Sequence, residues 1–476
     1  MAEIDHVVVL MLENRSFDCM LGRLRPPGPD FDGLTGNETN VVNGVPIKVW
    51  TTGGGIDPVH AVPTPDPAEL FTDMTAQIFG AVPGPPAPAT MAGFAQNYAG
   101  VEGASARDIM HGFTPEQVPV LSALADAFAV SDRWFASAPN QTWPNRFFAH
   151  TGTAAGYVNN MPLHVPYMME TIFNRLTAAQ RSWRIYFHDL PQSATLARIW
   201  SELPDHLYMF EEHFMADAMA GRLPNYSFIE PRYFACPLLN RMPNDQHPPH
   251  DVRMGERLIQ RVYDAVRNGA GWDRTLLIIT YDEHGGIYDH VPPPAAVPPD
   301  DLHPDGFTFD RYGVRVPAVL VSPWIPAGTV LRPPEGSPPF DHTSILATLR
   351  ELFGLGEPLT RRDAAAPSLL PVLSLPGPDN PGPKSIAVSG TAPSLLDLAA
   401  AHDGPPNGMQ TALAEFAKTL PAGSAAAARQ IAEFTIRQEV AAVESAAESV
   451  ITTVGDALTK AETGLTRFLR GPGAIW

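Results

Sequence analysis

Two short apolar runs constrain this chain more than anything else in it. Val7-Val8-Val9-Leu10-Met11-Leu12 leads directly into Glu13 and Asn14, and Leu276-Leu277-Ile278-Ile279 leads through Thr280 and Tyr281 into Asp282 and Glu283. Runs this short and this rich in β-branched and aliphatic residues read as strands buried on both faces, the kind found in parallel sheets covered by helices. In such sheets ligands collect at the carboxyl ends of the strands, so side chains placed there predict a site. Glu13, Asn14, Asp282 and Glu283 offer oxygen ligands, which suit a hard divalent cation such as Mg²⁺, Ca²⁺ or Mn²⁺. Charges at buried strand ends need a partner or an ion to offset their burial. Separate salt bridges to arginines are the competing reading.

The remaining signals alternate as in a layered α/β protein: strand Val7 to Leu12, helix Val118 to Ala129, helix Asn145 to Thr151, helix Val252 to Arg267, strand Thr275 to Tyr281, strand Val316 to Ser322 and helix Thr343 to Phe353. A chain of 476 residues can bury a large core, and one catalytic domain over residues 1–360 is the simplest division. Proline numbers 51, about twice its usual share. It clusters at Pro63 to Pro67, Pro83 to Pro88, Pro292 to Pro304 and Pro333 to Pro339. These read as ordered loops over the rim of the sheet, either shaping a cleft or simply covering the surface.

Beyond Pro358 the composition shifts, first to a Pro- and Ala-rich connector over 361–424 packing on the domain, then to a helical extension over 425–476. Ile436, Val440, Val443, Ala447, Val450, Val454, Ala457 and Ala461 recur in steps of four and three, which keep one helix face apolar. That stripe predicts docking on the catalytic domain or a homodimer through the C-terminal helix. Its glutamate-rich polar face argues against membrane contact.

Formal net charge is −19, which argues against nucleic acid as the main partner. No stretch approaches the roughly 18 apolar residues of a transmembrane segment. Met1-Ala2-Glu3-Ile4-Asp5 has neither the charged start nor the apolar core of a signal peptide, so the chain reads as a protein of the cell interior, or as an exported one whose leader has been removed. Cys19 and Cys236 are too few for a disulfide framework, and whether they pair is left open.

A metal site that cleaves esters also needs a nucleophile, and Asn140-Gln141-Thr142-Trp143-Pro144-Asn145-Arg146 supplies a candidate. Pro144 sits where a first-turn proline is tolerated, so Thr142 lies just ahead of a helix start, where free N–H groups and the dipole favour an anion. The plainer reading makes Thr142 only an N-terminal cap.

These segments resemble the bacterial phospholipase C and AcpA-type acid phosphatase family of the alkaline phosphatase superfamily. The likeness rests on six motifs in family order: Glu13 to Asp18, Asp57 to His60, Thr142 to Arg146, His247 to Pro249, Asp282 to His290 and Asp341 to Ser344. It covers roughly Ile4 to Leu355. The resemblance implies an alkaline-phosphatase-like three-layer α/β/α domain with a central, mostly parallel sheet, extended by C-terminal helices.

It also implies metal-dependent hydrolysis of phosphoric esters. Glu13, Asn14, Thr142, Asp282 and Glu283 would hold a divalent ion (Ca, Mg, Mn or Zn), and Thr142 would form a covalent phosphothreonine. His60 and His247, with His188 as a further candidate, would contact the phosphate or protonate the leaving group, tasks that suit a cationic imidazole. Asn145, Arg146, His284 and His342 are the substrate-side candidates, although His284 and His342 equally suit support of the metal ligands, and Arg146 either clamps phosphate or pairs with a local carboxylate. Asp289 with His290, and Arg15 with Asp18, read as structural. Phosphomonoester, phosphodiester and phospholipid head group all remain open as substrates. Trp134, Phe135, Trp143 and Tyr167 are possible walls of a choline cage or plain core. A sulfatase or phosphonate hydrolase, or a non-catalytic binding or assembly module, are the alternatives.

Overall fold

The computed structural model describes residues 2–52, 60–80, 88–164, 167–237, 239–388, 394–419 and 453–470. Among these, eight strands form one sheet: β1 (His6–Leu12), β2 (Ala129–Ser131), β3 (Trp183–Phe187), β4 (Leu207–Met209), β5 (Tyr226–Ile229), β6 (Thr275–Tyr281), β7 (Ala318–Val321) and β8 (Thr329–Val330). Their spatial order is β8-β2-β7-β6-β1-β5-β3-β4. All neighbours are parallel except β7, which runs antiparallel to both β2 and β6. Every residue of β1 and β6 is buried. Because alternate side chains of a strand point to opposite faces, such burial requires a layer on each side of the sheet. The fold is therefore a three-layer α/β domain with a mostly parallel centre.

The central pair sets the position of the site. β1 and β6 pair in register from His6 opposite Thr275 to Leu12 opposite Tyr281, so the next residues, Glu13 and Asp282, leave the sheet side by side, about one strand spacing of 4.8 Å apart. The amide of Asp282 still donates to the Leu12 carbonyl at 3.2 Å, and the amide of Asn14 donates to Asp282 Oδ1 at 3.0 Å.

Four long helices frame the sheet: α1 (Pro119–Ala127), α2 (Thr142–Thr151), α3 (Val252–Arg267) and α4 (Thr343–Phe353). The spans of α3, α4 and β6 match the sequence expectation. The expected helix Val118 to Ala129 stops at Ala127, and Ala129–Ser131 becomes β2, because pairing with β7 and β8 overrides the helical preference of an alanine-rich stretch. The expected strand Val316 to Ser322 is shorter, with Pro317, which has no N–H for the ladder, just outside it. α2 begins at Thr142 rather than at Asn145, with extended Gln141 ahead of it.

The C-terminal part joins the same core. Of helices α5 (Leu395–Asp403), α6 (Gly408–Thr419) and α7 (Val454–Arg470), the last two bring Met409, Leu413, Phe416, Ala457, Leu458, Ala461 and Leu465 into the main apolar cluster, and α5 packs Ala401 against it. Val454, Ala457 and Ala461 of the expected stripe are buried within this chain, which is the docking alternative for that part. The positions from Ile436 to Val450 lie outside the described residues. No helix among the described residues is long and apolar enough to cross a membrane. Cys19 and Cys236 are both buried and are not joined by a disulfide.

A buried ionic knot ties the loops that follow β1 and β6. Arg315 donates to Asp18 Oδ1 and Asp289 Oδ1, each at 2.9 Å. His290 reaches Asp18 Oδ2 at 2.7 Å and Asp32 Oδ1 at 3.1 Å. Arg15 does not pair with Asp18; it donates instead to the carbonyls of Gln246 and Val62. Asp18, Asp289 and His290 lie close enough together to hold a metal ion, yet the Arg315 guanidinium and the His290 proton already place positive charge there. Burial alone would lower the His290 pKa, but hydrogen bonds to Asp18 and Asp32 raise it to about 10. The stabilisation from its charged form is complete below the ordinary value of 6.5 and is lost as pH rises through about 10. His290→Ala is therefore expected to lower the unfolding free energy by about 1.5–3 kcal/mol near pH 6. Denaturant titrations should show that difference closing above about pH 10; a difference independent of pH would refute the assignment.

Candidate active site

Each acidic side chain at the strand ends is held by part of its oxygen set. Glu13 Oε1 accepts from Arg146 Nη2 at 3.1 Å and from Gln192 Nε2 at 2.5 Å. Asp282 accepts from the amides of Asn14 and Glu283 on Oδ1, at 3.0 and 2.7 Å, and from Arg146 Nε on Oδ2 at 3.1 Å. Glu283 Oε2 accepts from the Gly285 amide at 2.6 Å. Left over are Glu13 Oε2 and Glu283 Oε1, buried and without a hydrogen-bond partner.

Asn14 occupies the left-handed region, with φ 53°, a conformation asparagine tolerates better than most residues. Its Nδ2 donates to Glu69 Oε2 at 2.5 Å. That bond decides which way the amide points, and it leaves Oδ1 facing Thr142 Oγ1 at 3.4 Å. Gly285, with φ 62°, passes so close that an added Cβ would lie 2.4 Å from the Asn14 carbonyl oxygen, so only glycine fits there. Thr142 itself, wholly buried, is the first residue of α2, and the next amide, that of Trp143, donates to Asn160 Oδ1 at 2.7 Å.

The cluster is strongly acidic. Buried Glu69 and Asp245 and the partly exposed Asp66 join Glu13, Asp282 and Glu283. Burial, ahead of every other cause, pushes Glu13, Asp66 and Glu283 well above the ordinary carboxyl range, and pushes Glu69 up to about 7. Arg146 bridges Glu13 and Asp282, so of the alternatives considered for it the local carboxylates are its partners, although Nη1 stays unpaired. One guanidinium between two carboxylates leaves Glu283 and Glu69 uncompensated. Orphaned carboxylate oxygens, an oriented amide oxygen and a hydroxyl are donor types that a hard divalent cation takes, so the residues present fit such an ion by chemistry, while the acids that already lie within ion-binding distance of one another among the described residues are those of the Arg315 knot.

The histidines divide into two groups. His247 holds its Nδ1 proton on the Pro248 carbonyl at 2.6 Å, and its Nε2 has no partner while lying 4.0 Å from Glu69 Oε2. Asp66 Oδ1 sits 3.6 Å from its Nδ1. His60 is nearly buried, with an unpartnered Nδ1. His342 contacts the acid cluster from behind: its Nε2 donates to the Asp282 carbonyl at 2.6 Å and its Nδ1 accepts from Trp134 at 3.3 Å. His284 pairs with Gln77 Oε1 at 2.9 Å. These bonds give His342 and His284 a supporting place beside the acids rather than a substrate-facing one.

His188 lies apart, bonded to the Glu230 carbonyl at 2.8 Å, stacked on Phe210 and 3.9 Å from Glu211. Asn145 is likewise turned inward. Its side chain is consumed by Ala138, Asn140 and Gln141, and it shapes the loop before Thr142 instead of facing a substrate. Trp134, Phe135, Trp143 and Tyr167 are buried core, not walls of an open cage.

Burial lowers the pKa of His60, and brings His247 and His342 to about 4 and His188 and His284 to about 3. The cationic imidazoles expected from sequence are thus neutral in the ligand-free site, because desolvation outweighs the nearby carboxylates. A phosphate dianion arriving beside His247 would shift the balance back toward the charged form.

Sequence reasoning missed Glu69, Asp66, Asp245 and Gln192. Asp66 and Glu69 sit in and just after the proline cluster that follows His60, where two acids in a loop otherwise built of Pro, Ala and Thr were the available signal. Asp245 precedes the His247 motif by two residues. Gln192 carries no local signal; the Glu230 carboxylate positions it by accepting from the amides of Gln192 and Ser193.

Residues 4–356 match the Phosphoesterase family. Non-specific phospholipase C1 of Arabidopsis thaliana is 43% identical over 379 residues, covering 76% of this chain and 69% of that protein. Phospholipase C A of Mycobacterium tuberculosis is 27% identical, with 75% and 74% covered. Among solved structures, the phosphonate monoester hydrolase of Agrobacterium radiobacter overlays 78% of this chain and 77% of its own at 13% identity and a TM-score of 0.35.

Chelator treatment followed by return of Mg²⁺, Ca²⁺, Mn²⁺ or Zn²⁺ is expected to raise the thermal unfolding midpoint, because only the folded chain gathers these oxygens. Glu283→Gln keeps the side-chain shape and removes its charge, so it should weaken the response to the cation by roughly tenfold or more. A midpoint indifferent to all four cations would count against a metal here.

Proposed function

The chain belongs to the Phosphoesterase family and is a phosphoric ester hydrolase, and from that premise we propose that it cleaves phospholipids in the phospholipase C manner through the hydroxyl of Thr142. The observation that carries the proposal is the placement of Thr142 Oγ1 3.4 Å from Asn14 Oδ1, at the first residue of α2 and beside carboxylates with open oxygens. A divalent cation bound by Glu13, Asn14, Asp282, Glu283 and Thr142 would supply electrostatic stabilisation of the phosphoryl oxygens and acidify the hydroxyl. Glu69 supports this arrangement by fixing the Asn14 amide. Arg146 restrains Glu13 and Asp282, so the acids keep their separation when the site fills.

In the first step the Thr142 hydroxyl gives up its proton to water, its oxygen attacks phosphorus, a threonine O–P bond forms and the bond from phosphorus to the alcohol oxygen breaks. The departing oxygen must gain a proton. His247, neutral and with an open Nε2 lone pair, can take up a proton as the phosphate charge arrives and pass it to that oxygen. Water then cleaves the phosphothreonine, releasing the phosphate product and restoring the hydroxyl. His60 is the second candidate for contact with the phosphate.

The substrate class comes from the relatives, which bear the name phospholipase C. Membership of the Phosphoesterase family and the phospholipase C names of the relatives favour a phosphoric ester hydrolase over the sulfatase, phosphonate and non-catalytic readings.

Turnover of p-nitrophenyl phosphate, bis(p-nitrophenyl) phosphate, p-nitrophenylphosphorylcholine and a dispersed phosphatidylcholine tests the proposal. Thr142→Val is expected to lower kcat at least ~10³-fold with an unchanged thermal midpoint, and rapid acid quench of the unsubstituted protein should trap phosphate on the peptide containing Thr142. Full activity of Thr142→Val would sink the covalent route. Activity untouched by chelation, in protein shown by elemental analysis to be free of metal, would sink the cation.

A further inference from the structure

A cavity of about 620 Å³ lies between the catalytic body and the C-terminal helices, within the roughly 300–1,000 Å³ of ordinary ligand pockets. Pro65, Pro249 and Met254 form one wall, and Ala401, Pro405 and Val454 form the other. We propose that this cavity is the subsite for an acyl chain of a glycerolipid, on the leaving-alcohol side of the scissile phosphate. The inference rests on the phospholipid reading above and adds where the lipid lies.

Three observations carry it. First, the cavity abuts the reacting groups. Asp66 and Asn407 line it, and both approach His247 Nδ1, at 3.6 and 3.4 Å. The opposite nitrogen of the same ring lies 4.0 Å from Glu69 Oε2, the atom that holds Asn14 against Thr142. His247, wholly buried and the residue placed to protonate the departing alcohol, thus stands as the single ring between the cavity and the reacting groups, which puts a chain within the cavity on the side of that alcohol and not of the head group.

Second, the lining suits a neutral chain. Arg253 is paired with Asp251 at 2.5 Å, and Asp66, Asp251 and Asp397 also line the cavity, so a second phosphate or a carboxylate would meet net negative charge. None of the lining residues is Phe, Tyr or Trp, so the walls lack the ring faces that recognise quaternary ammonium groups. Third, the apolar character continues outward. α5 supplies Ala400 and Ala401 to the wall, and its first turn carries Leu395 and Leu396, 73% and 82% exposed. Leu396 stands one turn above Ala400 on the same helix face, where an apolar chain would enter from an aggregate.

The test uses the full chain with diacyl phosphatidylcholines of graded chain length, presented in detergent micelles, beside soluble p-nitrophenylphosphorylcholine. For the unsubstituted protein kcat/KM is expected to rise with chain length, by up to about fourfold per buried methylene, until the cavity is full. Ala401→Phe should lower kcat/KM for long-chain lipid at least tenfold and flatten the length dependence while leaving the soluble ester within about twofold. Met254→Ala, which enlarges the cavity, should move the optimum to longer chains. These two opposite shifts guard against a folding defect, since a misfolded variant would lose both substrates together. Equal effects on both substrates, or none on either, would overturn the subsite, as would an unsubstituted protein that hydrolyses the soluble ester but shows no dependence on chain length. Inertness of the unsubstituted protein toward every ester would instead overturn the proposed function on which the subsite rests.

Discussion

The in-register parallel pairing of β1 with β6 is the constraint on which the rest depends. Once Leu12 stands opposite Tyr281, Glu13 and Asp282 must emerge together at the covered end of the sheet, where water cannot dilute their repulsion. Everything nearby answers that concentration of negative charge. Arg146 spans both acids, Gln192 and backbone amides take further oxygens, and protons are held on Glu69 and Glu283 well above the ordinary range. These devices leave Glu13 Oε2 and Glu283 Oε1 unsatisfied. The fold carries an electrostatic debt that a hard cation would cancel.

The same burial governs the histidines. An imidazolium would help to offset the acids, yet His247, His342 and His284 are so thoroughly desolvated that the neutral ring wins. Contrast His290, which faces two carboxylates at hydrogen-bond distance and keeps its proton to about pH 10. The difference separates structure from chemistry. At the Arg315 knot the charges are matched and locked, whereas around Thr142 they are mismatched and a ring nitrogen stays open, which is the condition for responding to an arriving phosphate.

Much of this was legible in the residues. The strand runs and the acids that end them identified the two central strands and Glu13, Asn14, Asp282 and Glu283, since a continuous apolar run of this length needs cover on both faces and acids at its end need a counter-charge. Thr142 was legible through Pro144 and the helix that follows. Most of the misplaced residues share a cause, which is competition from distant segments; Asn145 differs, being taken by the loop just ahead of it. Asn145 and Arg146 look like substrate contacts in the motif, but one is turned into its own loop and the other is claimed by carboxylates 136 and 133 positions away along the chain. Ala129 reads as the end of a helix and the strand Ala129–Ser131 goes unseen because its partners β7 and β8 are nearly 200 residues distant in the sequence. Glu69, which orients Asn14, sits beside a proline cluster whose path no local rule predicts.

The sequence by itself determined the layered fold, through periodicity and the burial of apolar runs, and the family, through its ordered motifs, and it pointed to oxygen-bearing side chains at the ends of two buried strands as the candidate site. Only the tertiary structure decided which polar atoms are satisfied and which are left open, which histidines are neutral, and that the C-terminal helices close a cavity beside His247. Those properties depend on desolvation and on contacts between segments hundreds of residues apart, and neither is written in any local stretch of the chain.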